Sequence, residues 1–551
     1  MPHTPGFDPD ATIDYGGDAL REYDRLCVSG PPQAARLALL NLLVDASEAD
    51  WLSCSRTLVL RGDTATARAV LSVAHTSHPS SIDLCFALAG ILQQEGEQAA
   101  AEALLRELLA QQPGHAAATF LLAHILRQQG RMHAMASAVR ALFKHGQHDL
   151  AIVIQAIELL DDCDRKQDAS AICEAEIAAG STDPRIYAYA GMLEIQLGAF
   201  ERARQHYAFA LDHSSLAALE WNIPIGLSSM QRYRDASHPD FELFQRGLKQ
   251  PGLSDKARTT LLFALGKAYD DIGDYSQATR HLRQANALAQ TATSWSRKNW
   301  RRATDARLAR KPMSLTLMRP ADWTPIFIVG VPRSGTTLVA ELLSRHPDVC
   351  NRGELGWLAK LARPLSMQDE RNIPAFEQAA ATYAAQLLQD DSDAHWFIDK
   401  QPLNLLHVDL ILALWPNARI IYCRRSPRDT ALSLWSQSFL DEAQGYAYDF
   451  INIATVIKDC ERLMTHWQKR YASSIYTVRY EQLTAEPTAI IAALADWLPL
   501  PEPNSSAATP KSSVISTASL WQARQPVYTR SVERWRNYAD QLPELLRIPE
   551  S

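Results

Sequence analysis

The stretch that most constrains the fold joins an apolar run to a loop that contains two glycines. Residues 326–329 are all apolar, and the loop from Gly330 to Gly335 follows them directly. Beyond the loop, Leu338, Leu342 and Leu343 recur at helical spacing. This order predicts a buried strand, a tight loop and an amphipathic helix. Glycines permit close approach of a ligand, and a helix N-terminus offers unpaired N–H groups, so we expect an anion site here.

The loop departs from a nucleoside triphosphate-binding loop at one position. Its glycines fit the spacing G-x-x-x-x-G-K-[ST], but Thr336 stands where that motif has lysine. Arg333 is then the cation placed to contact the anion, and its planar guanidinium suits a tetrahedral oxyanion. An ordinary strand-turn-helix joint would need neither the arginine nor the run of small and hydroxyl residues. The loop therefore predicts a phosphate or sulfate site.

A second basic turn follows another predicted strand, residues 419–423, which is apolar from Ile420 onward. Arg425 and Ser433 lie eight residues apart across this turn, where a cation and a hydroxyl can hold a second phosphate; a surface charge cluster is the alternative. Strands alternating with helices from about residue 325 predict a mostly parallel sheet, with further strands at 396–399 and 475–480. Ligands of such sheets bind at the carboxyl ends of strands. Two neighbouring anion sites predict a nucleotide phosphorylated at two positions.

The N-terminal half repeats with a period of 34 residues. A turn residue, a small or flexible residue five positions later and a larger residue nine positions later keep this interval. The turn positions are Gly62, Gly96, Gly130, Asp164 and Gly198. The period indicates stacked helix pairs and resembles the tetratricopeptide repeat, which implies a solenoid with a concave groove. Two roles stay open for it: binding of a peptide or protein partner, or a spacer or homodimer module.

The motifs of the C-terminal half resemble those of one transferase family. The loop PRSGTT, the segment RRSPRDTALS and the strand end VRYEQL are similar to the 5′-phosphosulfate loop, the 3′-phosphate motif and a later cofactor contact of sulfotransferases. These enzymes use 3′-phosphoadenosine 5′-phosphosulfate (PAPS). The similarity runs over about residues 325–540 and is nearest to the tyrosylprotein sulfotransferases. The chain as a whole resembles a bacterial tetratricopeptide-repeat sulfotransferase.

This resemblance implies roles for individual residues. Glu354 matches the catalytic carboxylate that serves as base, and Lys400 and Arg333 would stabilise the oxygen of the leaving phosphate. Arg534 stands where the tyrosylprotein branch has a lysine, which keeps the charge and changes the donor geometry. The residues implied in cofactor binding are Arg333, Ser334, Gly335, Thr336, Thr337, Arg425, Ser433, Tyr480, Ser519 and Arg534.

The predicted activity is transfer of a sulfuryl group from PAPS to a hydroxyl acceptor without a metal. The acceptor is a protein tyrosine recruited by the repeats, or a carbohydrate or lipid hydroxyl. Two other functions stay open. A metal-dependent phosphotransferase would need a metal that bridges its nucleotide phosphates. A noncatalytic repeat scaffold would only bind a nucleotide with its C-terminal domain.

Composition argues against several other classes of protein. The 551 residues have a net charge of −7, so we expect no nucleic-acid partner. The 8 cysteines form no C-x-x-C pair, which predicts neither a disulfide framework nor a zinc site. We find no apolar run of membrane-spanning length and no signal-like N-terminus, and we therefore expect a cytoplasmic protein.

Together these patterns predict an all-α tetratricopeptide solenoid followed by a P-loop-type α/β sulfotransferase domain with a mainly parallel sheet. We place an N-terminal lead with capping helices at 1–47 and the solenoid at 48–290. A junction follows at 291–324, and the sulfotransferase domain occupies 325–551.

Overall fold

The computed structural model describes residues 17–144, 146, 148–214, 219–311, 313–317, 322–439, 442–501 and 529–550. The chain divides into two compact units. One comprises Met1–Gln128 and Ala134–Ile152, and the other comprises Gln129–His133 and Val153–Ser551. The domain boundaries expected from the sequence stay predictions.

The first unit is helical throughout its described part. Side-chain caps begin several of its helices: Ser47, Asp63 and Ser81 each accept a hydrogen bond from the backbone N–H three residues later. The helices up to residue 142 are α1 (Asp18–Ser29), α2 (Pro32–Leu42), α3 (Glu48–Leu60), α4 (Thr64–Ser77), α5 (Ile82–Gln94), α6 (Gln98–Gln111), α7 (Ala116–Gln128) and α8 (Met132–Leu142).

The 34-residue period corresponds to a repeated backbone geometry. Each predicted turn position has a positive φ, between 58° and 86°, and Asp164 takes this conformation where the other repeats have glycine. The residues five positions after each turn are completely buried; they are Ala67, Ala101, Met135, Ala169 and Ala203. The prediction of helix-turn-helix units is therefore confirmed.

More helices precede the sheet of the second unit. They are α9 (Leu150–Asp162), α10 (Lys166–Ala178), α11 (Pro184–Leu197), α12 (Phe200–His213), α13 (Ile223–Ser229), α14 (Pro239–Leu248), α15 (Asp255–Asp271), α16 (Tyr275–Ala292) and α17 (Arg297–Ala309). Helices α13 and α14 are shorter than their neighbours, and each has a proline in its first turn. The 34-residue pattern is weakest over this part of the sequence.

Five parallel strands form one sheet in the order β2-β3-β1-β4-β5. They are β1 (Thr324–Gly330), β2 (Val349–Asn351), β3 (Trp396–Asp399), β4 (Arg419–Arg424) and β5 (Ile475–Arg479). The sequence predicted four of them. It missed β2, because three residues are too few to show a periodic pattern.

Helices cover both faces of this sheet. They are α18 (Thr336–Leu343), α19 (Trp357–Leu365), α20 (Ile373–Leu388), α21 (Val408–Leu414), α22 (Pro427–Trp435), α23 (Phe450–Arg470), α24 (Tyr480–Ala485), α25 (Pro487–Trp497) and α26 (Pro543–Leu546). Short 3₁₀ helices span Pro402–His407, Glu442–Tyr448, Ala472–Ser474 and Arg534–Tyr538.

The central strand β1 is buried on both sides. Phe327 and Val329 belong to one hydrophobic cluster, and Ile326 and Ile328 belong to another. The first cluster continues into α15 and α16 of the same unit. The predicted order of helical repeats followed by a parallel α/β sheet is confirmed.

The strand order changes direction at β1: β3 and β2 lie on one side of it, and β4 and β5 lie on the other. A ligand site is expected at such a reversal, beyond the carboxyl ends of the strands. None of the helices in the described ranges has the length and apolar character needed to cross a membrane.

Candidate anion-binding and catalytic site

The loop after β1 is built for close contacts. A Cβ atom on Gly330 would lie 2.5 Å from the carbonyl oxygen of Cys423, and one on Gly335 would lie 2.5 Å from Cδ2 of Tyr480. Gly335 also has a φ of 96° and caps α18, whose first turn contains Thr336 and Thr337. These two positions therefore require glycine, and the loop leads directly into the N-terminus of a helix.

The two predicted anion motifs lie side by side, because β1 and β4 are adjacent strands. Arg333 Nε donates to Ser433 Oγ at 3.0 Å, and Arg425 Nη1 donates to the carbonyl oxygen of Arg333 at 3.1 Å. Arg333 has a φ of 75°, a conformation that is unusual for a residue other than glycine. The structure thus brings together an arginine from each loop and the hydroxyl of α22.

The ring of Tyr480 packs against the guanidinium of Arg425. The Arg425 guanidinium lies 4.6 Å from the centre of the Tyr480 ring, which is a cation–π contact. Tyr480 is the first residue of α24, since β5 ends at Arg479, so its expected place at the strand end is corrected by one residue. Arg425 Nη2 also donates to the carbonyl oxygen of Ser531 at 2.6 Å. The tyrosine and the backbone contact orient the guanidinium.

Three buried donors face a small cavity behind this arrangement. Ser334 Oγ, Arg425 Nε and Thr430 Oγ1 have no hydrogen-bond partner among the described residues, and all three residues line the same cavity. Leaving buried donors unpaired is costly. The cavity has a volume of about 10 Å³, which is room for a single water molecule, and such a water would satisfy donors of this kind.

Glu354 and Lys400 form an ion pair at the same edge of the sheet. Lys400 Nζ donates to Glu354 Oε1, and the two side chains are 2% and 35% exposed for lysine and glutamate respectively. The backbone N–H of Lys400 donates to the carbonyl oxygen of Gly353 at 2.8 Å. The structure therefore joins the two predicted catalytic residues, with a buried cation and a carboxylate that solvent reaches.

Asp399 is a functional candidate that the sequence analysis did not single out. It is the last residue of β3 and is completely buried. Burial raises its pKa to about 7, although hydrogen bonds from Tyr383, Asn404 and two backbone N–H groups act in the opposite direction. The available signal was an acidic residue at the end of an apolar strand, directly before the predicted catalytic lysine.

Ser519 and Arg534 are the two remaining predicted residues. Ser519 falls outside the described residues. Arg534 forms an ion pair with Asp270 of α15, with 2.6 Å between Nη2 and Oδ2. Burial acts to lower the pKa of Arg534, but the charge and hydrogen bond of Asp270 together with the charges of Tyr538 and Asp271 raise this pKa above its usual value. The structure thus directs Arg534 toward the last repeat helices instead of joining it to Arg333 and Arg425.

Comparison with known proteins gives two family matches. Residues 325–504 match the sulfotransferase family, and residues 58–125 match the tetratricopeptide repeat. An uncharacterized protein of Aquifex aeolicus is 29% identical over 360 residues, covering 61% of this chain and 47% of that protein. A protein-tyrosine sulfotransferase of Drosophila melanogaster is 30% identical over 125 residues, covering 20% and 25%.

A solved structure is also similar to part of the chain. The sulfotransferase domain of the Synechococcus PCC 7002 olefin synthase has a TM-score of 0.31 and 16% identity, covering 43% of this chain and 98% of that one. The chain spans about half the length of the Aquifex protein and a quarter of the Drosophila protein. By the two family matches, residues 325–504 form a sulfotransferase family domain and residues 58–125 contain tetratricopeptide repeats.

Proposed function

We propose that this protein transfers a sulfuryl group from PAPS to a hydroxyl acceptor. The observation that carries the proposal is the meeting of two anion motifs at adjacent strand ends, with Arg333 bonded to Ser433 and Arg425 bonded to the Arg333 backbone. Two anion sites side by side suit a nucleotide with separate 5′ and 3′ charged groups.

The binding roles follow the two motifs. Residues 333–337 would hold the 5′-phosphosulfate, with the backbone N–H groups of the first turn of α18 directed toward it. Arg425 and Ser433 would hold the 3′-phosphate, and Tyr480 would keep the Arg425 guanidinium in place. Ser519 stays in the proposal as a late contact to the donor. For Arg534 the ion pair with Asp270 favours an indirect role in ordering the C-terminal segment.

Glu354 and Lys400 would perform the chemistry. PAPS supplies an activated sulfuryl group, and the chain must remove a proton from the acceptor and stabilise charge on the leaving phosphate. The Glu354 carboxylate is accessible to an acceptor hydroxyl and would take its proton. Lys400 and Arg333 would stabilise the negative charge. Because these cations supply the stabilisation, we expect transfer without an added metal.

A protein tyrosine is the acceptor we favour. The similar Drosophila melanogaster protein is named a protein-tyrosine sulfotransferase, and tetratricopeptide repeats are suited to recruiting a polypeptide. A carbohydrate or lipid hydroxyl is the second acceptor class. The cytoplasmic location and the homodimer stay predictions.

Transfer of labelled sulfate from PAPS tests the proposal. The wild-type protein is incubated without metal with a tyrosine peptide, an oligosaccharide or a lipid acceptor, and Arg333→Ala and Glu354→Gln are assayed alongside. We expect label in one acceptor class and at least about a 100-fold loss in each variant, because each removes a group that acts on the transition state.

Two results would contradict the assignment. Undiminished transfer by Glu354→Gln would remove this residue as the base. The absence of binding to 3′-phosphoadenosine 5′-phosphate, together with metal-dependent use of a nucleoside triphosphate, would replace the sulfotransferase by a phosphotransferase. Binding of the nucleotide without any transfer would favour the noncatalytic scaffold.

A further inference from the structure

The carboxylate of Asp399 connects four separate groups. Its Oδ1 atom accepts hydrogen bonds from the backbone N–H of Leu355 at 3.3 Å and of Gln401 at 3.0 Å. Its Oδ2 atom accepts from Asn404 Nδ2 at 2.7 Å and from the Tyr383 hydroxyl. The bonds from Tyr383 and Asn404 are buried, where hydrogen bonds are stronger than in water, and the two bonds from backbone N–H groups are partly buried.

The two donors at Oδ1 are the residues that follow the proposed catalytic pair. Leu355 comes directly after Glu354, and Gln401 comes directly after Lys400. One oxygen atom therefore ties together the two chain segments that carry the base and the cation. The backbone N–H groups of Lys400 and Arg352 also donate to the carbonyl oxygens of Gly353 and Ile398. These main-chain hydrogen bonds join the same two segments.

The donors at Oδ2 attach this connection to the rigid core. Tyr383 belongs to α20 and is completely buried, and its ring lies 5.1 Å from that of Trp415 and 6.0 Å from that of Phe327. Asn404 belongs to the 3₁₀ helix that follows Lys400 and is also buried. Packed elements thus fix the position of the carboxylate through Oδ2, and its Oδ1 atom fixes the two loops.

Packing alone does not account for an acidic residue at this place. Ionised carboxylates are costly to bury, and an apolar residue would end the strand without that cost. The four donors satisfy the carboxylate, and two of them belong to loops whose placement matters for the proposed reaction. A buried polar network of this kind specifies one arrangement of the groups it joins.

We propose that Asp399 is a positioning residue that fixes Glu354 and Lys400 relative to each other through its bonds to Leu355 and Gln401. This inference rests on the proposed function of the pair. It predicts that loss of the Oδ1 acceptor affects the transfer step more than it affects binding of the donor.

Three variants separate positioning from general stability. Asp399→Ala removes both acceptors, and we expect kcat to fall about 100-fold with the KM for PAPS within about twofold, because misplacement by about 1 Å has effects of this size. Asp399→Asn keeps an oxygen for Leu355 and Gln401 and should recover kcat to within about tenfold of wild type.

Tyr383→Phe is the control for general stability. It keeps both Oδ1 bonds, so it should lower the melting temperature and leave kcat within about threefold of wild type.

A second measurement does not depend on catalysis. With ¹³C-labelled lysine, the side-chain NMR signal of Lys400 can be assigned from its absence in Lys400→Arg. We expect this signal to shift in Asp399→Ala, because the pairing with Glu354 changes, and to stay near its wild-type position in Tyr383→Phe. A shifted Lys400 signal supports the positioning role even if the wild-type protein transfers no sulfate, which would instead overturn the proposed function.

Clear results would overturn the inference. A folded Asp399→Ala with wild-type kcat and an unchanged Lys400 signal would do so. Equal losses of kcat in Asp399→Asn and Asp399→Ala would also overturn it, since the bridging bonds would then not be the cause. If the alanine variant does not fold, Asp399→Ser is measured in the same two ways, and wild-type values in both again contradict the proposal.

Discussion

At the scale of single residues, the candidate site depends on side chains that hold one another. Arg333 adopts a positive φ and directs its Nε atom to Ser433, while its own carbonyl oxygen accepts from Arg425. An unfavourable backbone conformation persists only where its surroundings fix it. The bond to Ser433 is therefore part of what orders the loop before any ligand binds.

Removing the Ser433 hydroxyl should weaken nucleotide binding. Ser433→Ala deletes the acceptor of Arg333 Nε, and a hydrogen bond to a charged group contributes about 1.5–3 kcal/mol, so we expect an affinity loss of about 10- to 100-fold. Calorimetric titration with 3′-phosphoadenosine 5′-phosphate measures it. Ser436→Ala is the control, because the Ser436 hydroxyl near the same helix donates to the Leu432 carbonyl oxygen. Equal affinities for the two variants would argue against the predicted contact.

The raised pKa of Asp399 predicts a dependence of stability on pH. The folded protein holds this proton more tightly than the unfolded chain, because the pKa rises from 3.8 to about 7. The contribution of Asp399 to stability should therefore fall as pH rises from about 4 to about 7, by up to about 4 kcal/mol, and level off above that. The difference in unfolding free energy between wild type and Asp399→Asn, measured from pH 4 to 9, isolates this effect. A difference that does not vary with pH would contradict it.

Some site residues could be predicted from the sequence, and others could not. Arg333, Arg425 and Ser433 were predictable, because each lies in a short motif directly after an apolar strand. The role of Asp399 was not, since its donors come from four places in the sequence between Leu355 and Asn404. The partner of Arg534 was equally hidden, because Asp270 lies in a helix of the repeat region. Local patterns identify a motif, whereas long-range hydrogen bonds depend on the complete fold.

At the scale of elements, the repeats follow from one backbone requirement. A residue with positive φ ends the first helix of each pair, and this recurs at the 34-residue positions and at Gly273. The sequence showed these turns because glycine is the residue that adopts this conformation most readily. Long strands and capped helices were predictable in the same way, whereas the three residues of β2 were too few for a periodic pattern.

Alanine at a turn glycine and at a helix glycine should have opposite effects. Gly96 has a φ of 85° and no atom near the place of an added Cβ, so Gly96→Ala should destabilise the protein by about 1–2 kcal/mol through the backbone alone. Gly90 lies within α5 and also has space for a Cβ, so Gly90→Ala should stabilise it by about 0.5–1 kcal/mol. Urea unfolding of both variants measures the difference. Effects of the same sign would contradict the assigned turn.

At the scale of the second unit, residues 529–550 connect the repeat helices to the proposed nucleotide site. Arg534 and Tyr538 contact Asp270 of α15, and Arg283 of α16 pairs with Glu544 at 2.9 Å. The same segment supplies the Ser531 carbonyl oxygen to Arg425. A disturbance at α15 can therefore reach the arginine that we assign to the 3′-phosphate.

Asp270→Ala tests this connection. It leaves the Arg534 charge unpaired, so we expect a loss of about 3 kcal/mol in stability and weaker binding of 3′-phosphoadenosine 5′-phosphate. Thermal unfolding and calorimetry measure the two effects. Asp255→Ala is the matched control, since this carboxylate lies at the start of the same helix and is exposed. Unchanged affinity in a destabilised Asp270→Ala would separate the C-terminal segment from the nucleotide site.

The hydrophobic cluster that joins α15 and α16 to the sheet limits how such a chain can be recombined. Leu262, Phe263 and Leu282 pack in the same cluster as Phe327 of the central strand. An exchange of repeat arrays that removed these helices would expose that surface and leave the sheet without part of its cover. A productive crossover in evolution or in protein engineering therefore has to fall upstream of Asp255, inside the array, so that this helix pair is inherited with the sheet.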